Sequence, residues 1–549
     1  MTQLIVVFLV NSRLLWYNLC MDNLTNTSEL NSKIDALTAK MNEQSLLIAK
    51  QAALIKYYEE QFLLAQRRRF GASSERTLID SDTCRQLNLF GDSEEAAKKL
   101  PEPEIEEITY KRKKRAGKRE EDLSGLPVER IEHELPESER VCPECSGTMR
   151  DIGVEIRREL KLIPASVVVD EHATHAYACI NCDKNNDHSV IIRADSPKPL
   201  IAGSLASPSL VAHILFQKYS NGLPLYRIEN GFRYDGVVIS RQTMSNWAMK
   251  CAEDYLIVLY NRLIMYLRKE SVIHADETTL QVLHEPGRKA QTKSYEWVYR
   301  TGREAEHQIV IFLYKETRKQ DNPHEFLKDF KGFVHTDGYQ AYHNLPSDIM
   351  VVGCWEHARR YWENLLKTIP ENNRKGTDAE RGVASITKLF MLEREFQKLR
   401  PEERYQERLK KSKPVSDAFF EWVETLGALP KSKLGEASIY AMNQRKFLEN
   451  VFLDGRLELS NNRCERAVKP FVMGRKAWLF SNTPGGAAAS SIIYSIVETA
   501  KANGLHPYNY IKYLLETLPN TTTDNLDALL PWSESLPENC TAPVKNGRG

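Results

Sequence analysis

Residues 272–283 read VIHADETTLQVL, and this stretch predicts a β-strand that carries a carboxylate near its middle. Its apolar and β-branched residues are typical of a strand that packs on a hydrophobic core. Asp276 lies among Val272, Ile273 and Leu280, where a charge is costly unless it is paired or binds a cation. The strand therefore offers Asp276 as a candidate metal ligand.

A second candidate carboxylate, Asp337, closes a later strand predicted over residues 333–337. The surrounding sequence predicts further strands over 295–300, 308–314 and 349–354 and a helix over 357–366, which together describe a mixed α/β sheet. If the strands of Asp276 and Asp337 are neighbours, two like charges share one site and repel unless a cation neutralises them. Mg²⁺ fits because it prefers oxygen ligands. The alternative is two unrelated capping or surface aspartates.

The composition of the 549 residues is that of a globular chain with three to five structural units. A hydrophobic fraction of 42% and a charged fraction of 27% exclude collagen-like, fully disordered and multi-span membrane proteins. The net charge of +1 means that any surface for nucleic acid must be local. The apolar run at residues 4–10 is too short to span a bilayer, which needs about 20 residues. We expect a cytoplasmic protein with no membrane partner, and Met21 is an alternative start.

Residues 1–27 define no element, whereas residues 28–70 predict one long helix with a coiled-coil pattern. Apolar residues recur there every seven positions, at Ile34, Met41, Ile48, Ile55 and Phe62. We favour self-association of this helix into a homo-oligomer. The alternative is an amphipathic helix that packs on the core of its own chain.

Residues 71–140 have the composition of a charged linker, and their segment 111–119 reads KRKKRAGKR. Such a run can follow a phosphate backbone because bound cations release condensed counterions. The alternative is a solvated linker. The candidate DNA contacts in this run are Lys111, Arg112, Lys113, Lys114 and Arg115.

Two C-x-x-C pairs follow, Cys142 with Cys145 and Cys179 with Cys182. Four thiolates form the tetrahedral ligand set that structural Zn²⁺ prefers, and they leave no open position for catalysis. The segment between the pairs has the alternation of strands. We therefore predict a zinc ribbon that binds DNA over residues 141–195; four reduced surface thiols are the alternative.

Residues 196–268 are predicted to be helical and to contain a helix-turn-helix pattern. Helices over 225–232 and 241–251 flank a turn at 233–236, and Ser240 is the expected cap of the second helix. Similar helix pairs occur in ordinary protein cores, so that interpretation stays open. The candidate groove-facing residues are Arg241, Gln242, Ser245 and Asn246.

Four motifs, two of which contain Asp276 and Asp337, follow one another in an order that resembles a bacterial insertion-sequence transposase. The motifs are HADET at 274–278, HTDGY at 335–339, GCWEHARR at 353–360 and SNNRCERAVKPFVMGRKAWLF at 460–480. The chain is specifically similar to the large transposase of the insertion sequence 66 family, from about residue 30 to about residue 520. The resemblance implies a DDE transposase with an α/β ribonuclease-H-like catalytic core.

By this resemblance, Asp276 and Asp337 are the first two catalytic, metal-binding carboxylates, and Glu465 is the third. Glu458 is its nearest rival, with Asp454 behind it. Two Mg²⁺ or Mn²⁺ ions about 3.5–4 Å apart would clamp the scissile phosphate. The implied division of the core is a first part over 269–377, a helical insertion over 378–449, the helix of the catalytic Glu over 450–482 and a C-terminal helical tail over 483–549.

The implied reaction frees the 3′ ends of the element by hydrolysis and joins them to target DNA. The implied partners are the terminal inverted repeats, target DNA in the bacterial nucleoid and companion proteins of the same element. Arg359, Arg466 and Arg475 are further candidate DNA contacts, and Cys354 and His357 either contact DNA or brace the core. The alternatives are a nuclease that does not join DNA and a transposase-derived regulatory protein that only binds it.

Overall fold

The structure, a computed structural model, describes residues 191–520 and 523–542, residues 166–178, and scattered positions at 33–55, 128 and 130. The four cysteines of the predicted zinc ribbon, the basic run at 111–119 and the alternative start at Met21 lie outside the described residues. The chain divides into two compact units, and the larger holds residues 1–72, 197–233 and 238–540.

The described positions of the amino-terminal region are helical from Lys33 to Ile55. The heptad residues Leu37, Met41, Ile48 and Ile55 are more than half exposed. In the smaller unit, β1 (Ala176–Ala178) pairs antiparallel with β2 (Ile191–Arg193). The predicted coiled coil and zinc ribbon stay predictions, because most of their residues are not described.

A five-stranded mixed sheet forms the centre of the larger unit, in the order β5-β4-β3-β6-β7. Within this sheet β3, β4 and β5 are successive antiparallel neighbours, and β6 and β7 run parallel to β3. The predicted mixed α/β sheet is therefore confirmed. Its strands are β3 (Val272–Gln281), β4 (Lys293–Thr301), β5 (Val310–Lys315), β6 (Gly332–His335) and β7 (Ile349–Val352).

Residues 208–269 form four α-helices before the sheet, and two of them continue into π-helical turns. Ser240 caps α3, since its hydroxyl accepts a hydrogen bond from the Thr243 amide at 3.1 Å. The helix before it reaches Tyr234, two residues beyond the predicted end, so the turn between the two helices is shorter than expected. The helices are α1 (Pro208–Leu215), α2 (Leu225–Tyr234), α3 (Arg241–Cys251) and α4 (Ile257–Lys269), with π-helical turns at Phe216–Ser220 and Ala252–Leu256.

Six α-helices follow β5 before residue 450 in the described chain, and most of those from residue 355 onward share an aromatic core with Val272 and Val352 of the sheet. Trp362 and Trp422 lie 5.2 Å apart between ring centroids, and Phe419 contacts both. Gly382 allows the close approach of two helices, because a Cβ there would lie 2.2 Å from the Trp362 ring. The helices are α5 (Asp321–Phe326), α6 (Trp355–Leu366), α7 (Asp378–Phe396), α8 (Pro401–Glu407), α9 (Lys413–Glu424) and α10 (Lys433–Glu449).

Three helices complete the larger unit: α11 (Asn462–Trp478), α12 (Pro484–Ala502) and α13 (Pro507–Thr517). On α12, the Ser495 and Thr499 hydroxyls accept hydrogen bonds from amides of β5 at 2.8 and 3.0 Å. A helix thus satisfies the outer edge of the sheet, which would otherwise expose unpaired amides. The segment predicted as a C-terminal tail therefore begins with a helix of the core.

Candidate active site

The register of two parallel strands places Asp276 beside Asp337. His274 of β3 pairs with His335 of β6, and each aspartate follows its histidine by two residues. Because neighbouring strands lie about 4.8 Å apart, this pairing brings the two chain segments side by side, and the charge of Asp337 acts on Asp276. The sequence placed Asp337 at the end of its strand, but β6 ends at His335 and Asp337 lies in the following loop.

Burial and neighbouring carboxylates make Asp276 the electrostatic centre of the site. Burial, then the charges of Glu277, Asp337 and Glu465, raise the pKa of Asp276 well above its ordinary value. The Asp276 and Asp337 carboxylates each accept a backbone amide, from Glu277 at 2.8 Å and from Tyr339 at 2.9 Å. Among the described residues, no ion pair neutralises either aspartate. This oxygen-rich donor set fits a divalent cation.

Glu465, in the first turn of α11, completes the group of three carboxylates. One of its oxygens lies 3.7 Å from Arg360 Nη2, and the other lies 3.6 Å from His357 Nδ1. The Glu465 charge acts on Asp276 although the two residues are far apart in the chain. The charges of Asp337 and Glu465 thus both act on Asp276, and the catalytic role that the resemblance implied for the three carboxylates stays a prediction.

The rival carboxylate, Glu458, forms a network of ion pairs instead. Its carboxylate lies 3.0 Å from both His274 Nε2 and Arg463 Nε, and 3.2 Å from Arg303 Nη2. Burial opposes ionisation, but the hydrogen bond from His274 and these cations lower the pKa of Glu458 well below its ordinary value. Asp454 is likewise paired, with Arg456 at 2.7 Å. Both rivals are held by neighbouring cations.

Two buried histidines stack behind the aspartates, and sequence reasoning missed them. The rings of His274 and His335 are parallel within 10°, with centroids 4.4 Å apart and no solvent exposure. His335 Nε2 accepts the Glu458 amide at 3.2 Å, which ties the segment before α11 to the sheet. The signal was present in the sequence, because H-x-D occurs in both motifs and places His and Asp on the same face of a strand.

Asn461 fixes the start of the helix that carries Glu465. Its fully buried side chain donates to the Ala275 carbonyl at 2.8 Å and lies 3.0 Å from His274 Nδ1. The backbone amide of Asn461 donates to Cys354 Sγ at 3.1 Å. Burial raises the pKa of this thiol to about 12. Cys354 is therefore a buried thiol at the N-terminus of α6, and its role stays open.

The helical insertion supports the loop that carries Asp337. Tyr440 of α10 donates its hydroxyl to the Asp337 carbonyl at 2.9 Å. Gly338 has φ of +94°, and a Cβ there would lie 2.9 Å from Gln444 Oε1. The insertion thus contacts the backbone on both sides of the peptide bond that follows Asp337.

Substitution of Gly338 by Ala is expected to slow the reaction at these carboxylates about tenfold or more. The positive φ would strain the loop by about 1–3 kcal/mol, and the new Cβ, crowded by Tyr440 and Gln444, would displace Asp337. Gly376→Ala is the matched control, since its φ is +76° and its surroundings are open. Reaction rates of both variants should separate backbone strain in general from displacement of the site, and equal rates would contradict this role of the loop.

Comparison with known families gives the identity of this arrangement. Residues 203–489, which contain the three carboxylates, match the family described as "Transposase IS66 family". The chain belongs to the IS66 family of transposases. Residues 495–532 match the IS66 C-terminal element, residues 139–183 the zinc-finger binding domain of transposase IS66, and residues 57–131 the "Transposase C of IS166 homeodomain".

Similar proteins occur in Sinorhizobium fredii (strain NBRC 101917 / NGR234). The uncharacterized protein y4qI is 29% identical over 521 residues, which cover 91% of each chain. The uncharacterized protein y4jD is 28% identical over 72% of this chain and 78% of its own length. The domain matches, like the two relatives, cover most of the chain. This IS66 transposase therefore has zinc-finger and transposase domains and binds DNA, and its transposase domain indicates divalent-metal chemistry.

The predicted DNA contacts of this IS66 transposase differ in their surroundings. Arg359 forms ion pairs with Glu356 and Glu363 at 3.6 and 3.1 Å, so its charge is already compensated. Arg475 instead donates to the Thr278 and Thr279 hydroxyls at 3.2 and 3.1 Å, and Arg241 and Arg466 are exposed.

Among the described residues, no helix is both long and apolar enough to cross a membrane.

The metal-free IS66 transposase is expected to lose stability as the pH rises. A carboxyl group whose pKa is raised in the folded state keeps its proton up to a higher pH than in the unfolded chain. The free energy of unfolding therefore falls as the pH rises from the ordinary pKa of an aspartate to the raised pKa of Asp276. Thermal denaturation in EDTA across this range should show the loss, and Asp276→Asn or added Mg²⁺ should reduce it. A pH dependence that the Asn substitution leaves intact would assign the effect elsewhere.

Proposed function

We propose that this protein is a DDE transposase that cuts the ends of an insertion sequence and joins them to target DNA. The observation that carries the proposal is that the charges of Asp337 and Glu465 both act on the buried Asp276, although the three residues come from a strand, the loop after its parallel neighbour and a later helix. Among the described residues Asp276 and Asp337 have no ion pair, and Glu465 has only the long contacts with Arg360 and His357. Such a group of carboxylates fits a site for divalent ions in phosphoryl transfer.

The sheet supports a ribonuclease-H-like core. Three antiparallel strands, followed by two that are parallel to the first, place β3 at the centre with β6 beside it. The central strand then carries the first carboxylate, and its parallel neighbour leads into the second. The helical insertion enters between β7 and α11 and contacts the Asp337 loop, so the third carboxylate arrives from a later helix.

Asp276, Asp337 and Glu465 would hold two Mg²⁺ or Mn²⁺ ions. When bound, such ions lower the pKa of a water or of a DNA 3′-hydroxyl and stabilise the leaving oxygen. The protein's own contribution is to fix the carboxylates, through the backbone bonds of Asp337 and the buried Asn461 at the start of α11. Nearby Tyr339 and Tyr342 donate their hydroxyls to protein acceptors, which agrees with a reaction that needs no tyrosine nucleophile.

DNA recognition is proposed to be divided among several segments. Cys142, Cys145, Cys179 and Cys182 would bind structural Zn²⁺ and form the ribbon that recognises terminal inverted repeats. The run at 111–119 and the exposed Arg466 would contact phosphates, which fix register without reading bases. The amino-terminal helix, with its exposed heptad residues, would hold two subunits on two ends. Companion proteins of the element would act with this complex on nucleoid DNA.

A strand-transfer assay tests the proposed function. The full-length protein, with and without the element's companion proteins, is incubated with labelled element ends and a target plasmid in Mg²⁺ or EDTA. Metal-dependent joining of the labelled 3′ ends to the plasmid is the expected result. Cleavage without joining would identify a nuclease, and binding without cleavage in every mixture would favour a regulatory protein descended from a transposase.

A further inference from the structure

A second group of potential metal ligands includes Glu465 itself and two residues of the motif at 353–360. Cys354, His357 and Glu465 each offer one ligand atom, and these atoms lie within 4.8 Å of one another. His357 Nδ1 and Glu465 Oε1 are 3.6 Å apart, too far for a hydrogen bond. Both atoms are buried, and neither has a hydrogen-bond partner among the described residues.

Unpartnered buried polar atoms are unusual in native proteins and call for an explanation. Two ligands that each bind a metal at about 2.1 Å lie roughly 3–3.5 Å apart around it, so the observed 3.6 Å separation is close to that of a shared ion. Sulfur, imidazole nitrogen and carboxylate oxygen together are the donors that zinc and similar transition metals prefer, whereas Mg²⁺ prefers oxygen alone.

We propose that Cys354, His357 and Glu465 form a binding site for a transition-metal ion of the zinc type, with solvent or DNA in the open position. Binding converts the Cys354 thiol to a metal-bound thiolate and releases its proton to the buffer. The Asn461 amide already donates to this sulfur at 3.1 Å, an arrangement that also suits a thiolate.

Arg360 lies beside this site and contacts two of its residues. Its Nη1 lies 3.2 Å from His357 Nε2, and its Nη2 lies 3.7 Å from Glu465 Oε2. Coordination through Nδ1 places the ring proton on Nε2, which can then no longer accept from Arg360. The Arg360 side chain is about half exposed and is free to turn toward solvent when the metal binds. Metal and Arg360 therefore compete.

The site has a consequence that rests on the proposed function. Glu465 belongs both to the carboxylate group and to the new site, so the two metal positions of the proposed reaction differ in chemistry. The position between Asp276 and Asp337 has oxygen donors, and the position at Glu465 adds nitrogen and sulfur. Activity with Mn²⁺ should therefore exceed activity with Mg²⁺ by a factor that depends on His357.

Metal binding is tested without DNA, so that it can fail independently of the proposed function. Co²⁺ is added to full-length protein that carries one equivalent of Zn²⁺, the amount that the four-thiolate ribbon takes, and its thiolate charge-transfer and d–d bands are titrated. We expect one site whose thiolate band is absent in Cys354→Ser. His357→Ala should weaken binding at least about tenfold, whereas Arg360→Ala should tighten it.

Matched controls are Cys540→Ser, a buried thiol, and His324→Ala, since both residues lie outside the site. Circular dichroism of each variant checks that it is folded. A Co²⁺ spectrum that persists in Cys354→Ser but disappears in Cys142→Ser would assign the ion to the zinc ribbon and overturn the proposal. Unchanged affinity in both folded His357→Ala and Arg360→Ala would overturn it equally. If the unmodified protein binds Co²⁺ as expected but joins no DNA in the strand-transfer assay, that result would instead count against the proposed function.

Discussion

Replacement of Asp337 by Asn is expected to abolish metal-dependent cleavage and joining of element ends while the protein still binds DNA. The amide keeps the shape of the side chain and its contact with the Tyr339 amide, but it removes the charge that holds a divalent ion. The loss should exceed about 100-fold, which is the upper end of the effect of residues that only orient metal ligands. Strand-transfer products on labelled ends measure it.

Asp348→Asn is the control for this substitution. Asp348 is also an aspartate next to the sheet, but its carboxylate pairs with Lys331 at 3.1 Å and is more than half exposed. Its replacement should leave cleavage and joining near the wild-type level. Cleavage that survives in Asp337→Asn would mean that the active site lies elsewhere in the chain.

Glu465→Gln is expected to lower activity and Glu458→Gln is expected to lower stability. The two measurements together distinguish a catalytic carboxylate from a structural one. Glu465 has an unpartnered buried oxygen, so Gln should remove activity by more than about 100-fold with little change in stability. Glu458 contacts His274, Arg463 and Arg303, and its lowered pKa stabilises the fold above the ordinary pKa of a glutamate. Gln at 458 should therefore lower the free energy of unfolding by about 2–3 kcal/mol.

Urea denaturation and strand transfer, measured on the same preparations, separate the two substitutions. A folded Glu458→Gln protein at low temperature should retain measurable joining, because the carboxylates at 276, 337 and 465 remain. An inactive but fully stable Glu458→Gln protein, beside an active Glu465→Gln protein, would reverse the assignment of the third carboxylate.

The strands and most helices could be predicted from local sequence because their signals lie within a few residues. The alternation in residues 272–283 predicts β3, and Ser240 with its following helix predicts the cap of α3. Strand ends were less certain: β6 stops at His335, since Gly338 turns the chain at positive φ just beyond it. The sequence placed α12 in a tail, because nothing local shows that Ser495 and Thr499 bond the edge of β5.

Residue type and order by themselves determined the family, the candidate carboxylates and the zinc-ligand pattern, because each depends on spacing along the chain. Only the tertiary structure decided which groups share a site. The register of β3 and β6 pairs His274 with His335. Asn461 anchors the start of α11, and on this helix it is Glu465, and not the earlier Glu458, that lies beside His357. These contacts join segments that are distant in sequence, and long-range packing, rather than local propensity, fixes them.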